Sequence, residues 1–554
     1  MSAYKTLIFP LMLSVLPAFG QNRLDASVNV DGKYLPEIIR MERIGTFPVS
    51  VDTDIPFHGL DYSLKGVTAD FSPLSTPLSA TAWGLSDGRS PQRGYLDFSL
   101  GSWLNSNLSA GYRIIKDERT SLSTRLQFNS TSLWKDNELS RALSSSDSRQ
   151  RYDGVIGFDF TRRFSDTDWL AADVQYHLGA FNYYGLSESQ TLNDFALRAS
   201  WNSAAGENNL NWNVGAGVRY FGYRSGGYIS DKGTRETSVN VGGGILMPWS
   251  SGSALSLDAD LDLMVYADAL VRPDNYGMVT LTPAYSFSRG KTLIRVGADV
   301  DLTFNAGEEG NRYALFHIAP DCRLMTDFGR VRLALDVTGG SEKNTLANQW
   351  GSDYYQSPVL LTTRPVYTPF DGRLELSFGP FTGLSFSLWG EYKISRGVFM
   401  GGGYLPMLYQ NVPADALRYN LHGFSTGMRI NWKPASAFAL EAYGSYQPQN
   451  GSTGFFNGLD RAKGIVGVTT DIRPFDRLLL NINYELRCGR SFTFVNSETR
   501  MSNLSMLGAE IRFSITDNFY LGAQGCNLLN RRNVLSPSNP SEGIVILGTL
   551  GLKF

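Results

Sequence analysis

The chain has 554 residues, of which 12% are aromatic, yet only 18% are charged and 57 are glycine, a mix that is unusual for a soluble enzyme. A formal net charge of −2 gives no reason to expect nucleic acid or another polyanion as a partner.

The first residues, Met1 to Gln21, open with Lys5, continue through the apolar run Leu7 to Leu16 and end in Pro17-Ala18-Phe19-Gly20. This reads as a signal peptide cut after Gly20, because the run is too short for a membrane span, contains Pro10 and ends in small residues. Loss of Lys5 leaves 49 basic against 52 acidic side chains, a net charge of −3. Cys322, Cys488 and Cys526 are odd in number and far apart, which speaks for packing residues over a disulfide framework in an oxidising compartment. Beyond residue 20 no run of roughly eighteen apolar residues occurs, so a membrane-embedded chain must close as a barrel.

From about Gly94 the sequence alternates with period two over roughly ten residues at a time, as when one strand face meets lipid and the other water. Leu210, Trp212, Val214, Ala216, Val218 and Tyr220 oppose Asn211, Asn213, Gly215, Gly217 and Arg219. Leu255, Leu257, Ala259, Leu261, Leu263 and Val265 oppose Ser256, Asp258, Asp260 and Asp262, and Ile294 to Phe304 repeats the pattern with Arg295, Asp299 and Asp301. A helix would scatter these charges around its circumference. Arg162 breaks the apolar face only beside an expected turn, where it can snorkel to the interface. The stretch from Arg312 to Leu324, with His317 and Pro320, is the least regular.

The segments number about twenty-two, beginning near residues 94, 107, 119, 152, 168, 192, 208, 234, 253, 277, 291, 312, 329, 371, 383, 418, 437, 462, 476, 503, 517 and 543. Every second connection is short, for example Lys116 to Arg119, Trp249 to Gly252 and Thr516 to Asn518. The connections between them are mostly long, for example Ser130 to Arg151, Gly179 to Thr191, Gly340 to Phe370, Ser395 to Leu417 and Gln447 to Arg461. That asymmetry predicts an all-β transmembrane antiparallel barrel over residues 94–554, with short periplasmic turns and long external loops. Its expected place is the outer membrane, with that membrane's lipid and the barrel-insertion machinery as partners.

The segment Cys526-Asn527-Leu528-Leu529-Asn530-Arg531-Arg532, ahead of a strand ending in Phe554, resembles the penultimate-strand motif of TonB-dependent receptor barrels. Val28 to Ile38, followed by Glu42-Arg43-Ile44 and Pro48, is similar to the opening of short receptor-like barrels of Bacteroidetes. The resemblance implies a twenty-two-strand barrel for solute uptake. It departs from the family in one part: the 73 residues from Gln21 to Arg93 are about half of what a plug domain needs, and no TonB box is apparent. These residues are expected to run as an extended segment through the periplasm or into the lumen, or to serve as an interaction tail.

No catalytic constellation emerges. His58, His177, His317 and His422 match no metal-ligand spacing, and His177, beside Asp173 and Gln175 on the inward face, has no assignable nucleophile. No enzyme activity and no cofactor are expected; Gly242-Gly243-Gly244 and Gly401-Gly402-Gly403 lack the following helix of a phosphate cradle.

Two features remain as candidates. The inward acids Asp258, Asp260, Asp262, Asp299 and Asp301 either favour cationic solutes or form a solvated, partly neutralised wall. The loop aromatics Trp350, Tyr354, Tyr355, Phe399, Tyr404, Tyr409, Phe455 and Phe456 can stack on sugars, anchor a protein partner, fold back into their own barrel, or sit in the outer interface. The functional expectation is passage of an unidentified solute. Its rival is an assembly barrel that binds periplasmic or surface proteins.

Overall fold

The computed structural model describes residues 93–102, 105–133, 149–182, 189–204, 210–226, 231–250, 252–268, 275–305, 315–352, 364–399, 418–451, 456–457, 462–494, 497–531, 534–536, 539–540 and 543–554. The expectations for the signal peptide, for the segment 21–93 apart from Arg93, and for the opening motif lie outside these residues.

The wall begins with β1 (Gly94–Gly101), β2 (Ser106–Lys116), β3 (Thr120–Leu133), β4 (Arg149–Arg163), β5 (Asp168–Asn182), β6 (Ser189–Ser203), β7 (Asn211–Tyr223) and β8 (Arg235–Ser250). It continues with β9 (Ser253–Ala267), β10 (Tyr276–Arg289), β11 (Thr292–Phe304), β12 (Leu315–Asp327), β13 (Val331–Glu342), β14 (Val366–Phe381), β15 (Leu384–Phe399) and β16 (Arg418–Ala435). The circuit is completed by β17 (Phe438–Tyr446), β18 (Gly464–Phe475), β19 (Leu478–Cys488), β20 (Leu504–Thr516), β21 (Phe519–Cys526) and β22 (Val545–Lys553). Each strand pairs antiparallel with the next, and β1 pairs with β22, from Tyr95 opposite Lys553 to Gly101 opposite Leu547. The result is a closed barrel of twenty-two strands, with the three-residue piece Gln449–Gly451 continuing β17 along β16.

Closure explains two sequence choices. The Phe554 carbonyl accepts from the N–H groups of Arg93 and Gly94 at 2.6 and 2.7 Å, and its ring stacks near Tyr112 with centroids 6.1 Å apart. A Cβ on Gly94 would meet both rings at 2.8–2.9 Å, and one on Gly101 would stand 1.9 Å from the Ile546 carbonyl oxygen. The seam is therefore built on glycines at both ends of β1.

The outward positions carry exposed apolar side chains, among them Phe98, Leu100, Val214, Leu257, Val265, Val296, Leu302 and Leu550. Such a band is tolerable against hydrocarbon, and the cyclic ladder leaves no strand edge to satisfy there. At the short-turn end the band closes in aromatics: Phe164, Trp249, Phe328, Phe475 and Phe554 are all exposed, as expected of an interfacial girdle. Arg162 stands in this zone with its guanidinium 5.6 Å from the Phe164 ring, as its place next to the turn predicts. No helix among the described residues is long and apolar enough to cross a membrane, and Cys322, Cys488 and Cys526 are free thiols.

The strands run further at the long-loop end than the alternation indicates. β3 reaches Leu133, β5 reaches Asn182, β13 reaches Glu342 and β14 starts at Val366 instead of near residue 371. Beyond the lipid band both faces of a strand meet polar surroundings, so the alternation fades while the ladder of backbone hydrogen bonds continues.

Candidate functional site

The β13–β14 connection does not stay outside the barrel. β13 pairs with β12 only from Arg332 to Val337, opposite Asp327 to Cys322, whereas β12 continues along β11 up to Leu315. At that point β13 bulges between Thr338 and Gly340 relative to β14. Gly340 has φ of 120°, a backbone region open mainly to glycine, and a Cβ on Gly339 would meet Ala319 Cβ and the Thr368 carbonyl oxygen at 2.6 Å. At the Gly339-Gly340 pair the chain bends away from β12 toward the lumen, while Gly340 to Glu342 stay laddered with Thr368 to Val366 of β14.

Three carboxylates from three strands receive it. The Ser341 N–H donates to Asp301 of β11 at 2.5 Å, while Thr280 Oγ1 donates to the other Asp301 oxygen at 2.8 Å. Lys343 Nζ reaches Asp262 of β9 at 2.5 Å, and Asn240 Nδ2 donates to the same oxygen at 3.0 Å. The Leu346 N–H donates to Glu236 of β8 at 2.9 Å. A short helix, α1 (Leu346–Ser352), follows, capped by Thr345, whose Oγ1 accepts from the Asn348 N–H at 3.1 Å.

Leu346, Ala347 and Trp350 fall on one face of α1, at i, i+1 and i+4, and all three are buried. They pack on Phe181, Leu192, Phe221, Tyr223, Met264, Tyr266 and Tyr276, inward side chains near the long-loop ends of β5, β6, β7, β9 and β10. The Trp350 ring lies 5.0 Å from His177 and 6.2 Å from Phe221. Each side chain so buried contributes about 1.5–3 kcal/mol relative to exposure. The lumen thus holds a small apolar core of its own, rimmed by acids.

Of the acids singled out from the sequence, Asp262 and Asp301 anchor the infolded chain directly. The strand register aligns Asp260 with Thr280 and Asp301, and Asp258 with Thr282 and Asp299. Thr282 Oγ1 donates to Asp299 at 2.5 Å. A Cβ on Gly242 or Gly244 would come within 2.0 or 2.1 Å of the Asp260 or Asp258 carboxylate, so these glycines make room for acids and do not cradle phosphate. His177 stands 3.5 Å from Asp153, which Arg151 holds at 2.6 Å. Its place is beside the Trp350 ring at the edge of the apolar core.

Among the aromatics, Trp350 is only 3% exposed and packs into the lumen, the folded-back placement among the four open from sequence. Tyr354, Tyr355, Tyr404, Tyr409 and Phe455 lie outside the described residues, as do the side chains of Phe399 and Phe456. Sequence reasoning missed Glu236 and Lys343 as anchors and the apolar inward residues as a docking floor. A signal for the floor exists: Met264 and Tyr266 continue the inward face of Asp258, Asp260 and Asp262, breaking its polarity only where α1 lies.

Elsewhere in the lumen the wall pairs its own charges, partly across strands and partly between residues two apart on one strand. Arg125 donates to Asp159 at 2.7 Å and to Gln175 at 3.0 Å, and Arg219 grips Asp194 with two bonds of 2.7 and 2.6 Å. Arg373 lies 3.0 Å from Glu375, 3.8 Å from Glu391 and 4.7 Å from the Trp389 ring centroid. Arg429 faces Glu441 at 3.3 Å, Arg487 faces Glu485 at 2.8 Å, and Arg512 faces Glu510 at 2.6 Å.

No protein-family model matches the chain, and no curated protein matches it in sequence. Solved structures do match. The siderophore receptor PirA from Acinetobacter baumannii aligns at a TM-score of 0.62 and 10% identity, over 84% of this chain and 80% of that one. The FrpB iron transporter from Neisseria meningitidis aligns at 0.63 and 8% identity, over 84% and 82%. The ferric enterobactin receptor PfeA from Pseudomonas aeruginosa aligns at 0.61 and 10% identity, over 84% and 80%. At these identities the likeness is one of fold. The barrel is similar to that of TonB-dependent outer-membrane receptors for siderophores and iron, in line with the resemblance carried by Cys526 to Arg532.

Proposed function

We propose that this chain is a non-enzymatic outer-membrane barrel for solute uptake or passage, narrowed at its external mouth by its own β13–β14 connection. The observation that carries the reading is α1, seated in the lumen on an apolar floor and held by Glu236, Asp262 and Asp301. A barrel of this strand number is wide enough to need an internal obstruction, since diameter grows with the number of strands. In this reading residues 1–20 direct export, and residues 21–93 run as an extended segment through the periplasm or into the lumen. The opening motif from Val28 to Ile38 is similar to that of short receptor-like barrels of Bacteroidetes. The solute travels along the arc from β14 to β20, the side on which α1 does not pack.

The test is proteoliposome swelling with neutral solutes of graded size. Three preparations are compared: the mature protein, a form lacking residues 21–93, and a form with residues 344–352 replaced by a glycine-serine linker. Size-limited flux that rises in the linker form supports passage. Absence of flux from all three, each folded, contradicts it and favours an assembly barrel that binds periplasmic or surface proteins.

A further inference from the structure

We propose that the segment Thr338–Ser352 is a latch with two seats: the lumen seat described above, and a wall seat in which Thr338–Glu342 complete the β12–β13 ladder and α1 leaves the lumen. The proposal rests on the passage reading, since a latch matters only where something passes.

The wall seat is already half built. The β12–β13 ladder stops at Cys322 opposite Val337, yet β12 runs on to Leu315 and β13 to Glu342. Continued in the same register, Thr338 would face Asp321, Ser341 would face Ile318 and Glu342 would face His317. Pro320 stands in this stretch, a residue that sheets place at edges because it brings no N–H to a ladder. In the lumen seat the gap is closed by a side chain instead of a strand. The Tyr367 hydroxyl donates to the Ile318 carbonyl at 2.9 Å, and its ring stacks on His317 with centroids 3.8 Å apart and planes 8° from parallel. Ser341 Oγ lies 3.1 Å from His317 Nδ1, so the chain, still laddered with β14 through Glu342, runs beside the place it would take along β12.

The lumen seat is held by contacts that can be exchanged. Two are backbone N–H groups on carboxylates and one is the Lys343 ammonium on Asp262, whose side chains are 30% and 8% exposed. Lys343 also brings positive charge to a wall where Asp258, Asp260, Asp262, Asp299 and Asp301 gather and where Arg295 is already committed to Asp321 at 2.9 Å. Without Lys343 this arc repels itself and loses the grip on the infolded chain. The apolar floor makes the lumen seat the resting one, and the Gly339-Gly340 pair supplies the hinge.

Planar-bilayer recordings of the purified full chain test the latch, with the 344–352 linker form as the open reference. Lys343→Glu and Asp262→Lys are each expected to raise the open fraction about tenfold, and the double exchange to return it towards the parent value. If the linker form conducts but the single reversals gate like the parent, or the double exchange fails to restore it, the latch is wrong while passage stands. Heat-modifiable migration on gels confirms that each variant is folded. Silence of a folded linker form overturns the passage reading and the latch together.

Discussion

The arc from β8 to β11 and the arc from β14 to β20 line one lumen and solve the same problem in opposite ways. On the second arc ion pairs close within the wall itself: Lys393 with Asp371, Arg429 with Glu441, Arg487 with Glu485, Arg512 with Glu510. On the first, Glu236, Asp262 and Asp301 are completed by a piece of chain arriving from β13. A self-neutralised wall is a fixed surface. A wall that borrows its partners from a loop ties its own electrostatics to where that loop sits. The floor differs too, since the apolar cluster under α1 is built from inward side chains of the β5–β10 side.

The contrast can be broken from either side. The largest effect is expected at Arg512→Ala, which leaves Glu510 uncompensated with side chains only 5% and 9% exposed and also removes the cation over the Tyr520 ring at 4.6 Å. A loss of about 3–5 kcal/mol in folding stability should appear in urea titrations followed by gel migration. Trp350→Ala is expected to cost α1 docking about 3 kcal/mol by opening a cavity beside His177 and Phe221, while the wall stays folded. The readout is raised conductance with an unchanged unfolding midpoint, which a fixed wall feature would not give. Gly467→Ala places a methyl group 2.2 Å from the Tyr443 ring. Because that ring is also held through its hydroxyl on Glu485, a cost of about 1–3 kcal/mol is expected, again on the unfolding midpoint. Smallest of all, Arg429→Ala touches a pair that is 59% and 32% exposed. It should shift stability by under about 1 kcal/mol and the effect should vanish in high salt.

Much of the wall is legible in the sequence because lipid on one side and water on the other impose the same period-two demand strand after strand. Expected starts at 168, 253 and 418 coincide with β5, β9 and β16, and the irregular stretch around His317 and Pro320 turns out to be where β12 loses its β13 partner. What failed to show is what happens inside the mouth. α1 has seven residues, too few for a helical period to stand out, and its apolar face reads like any loop aromatic until Phe221, Met264 and Tyr266 are seen across from it. The acids were visible as a cluster, but neither Lys343 nor the Ser341 and Leu346 N–H groups could be paired with them without the inward turn at Gly339-Gly340.

The most direct test of the central claim, that α1 is docked in the lumen, is amide hydrogen exchange of the peptide spanning Thr345 to Ser352 in the folded barrel. Docking predicts protection of the Leu346 N–H, bonded to Glu236, and the Gln349 N–H, bonded to the Thr345 carbonyl, approaching that of neighbouring β8 and β9 and lost in Trp350→Ala. Exchange at the rate of an exposed loop in the parent protein would contradict it.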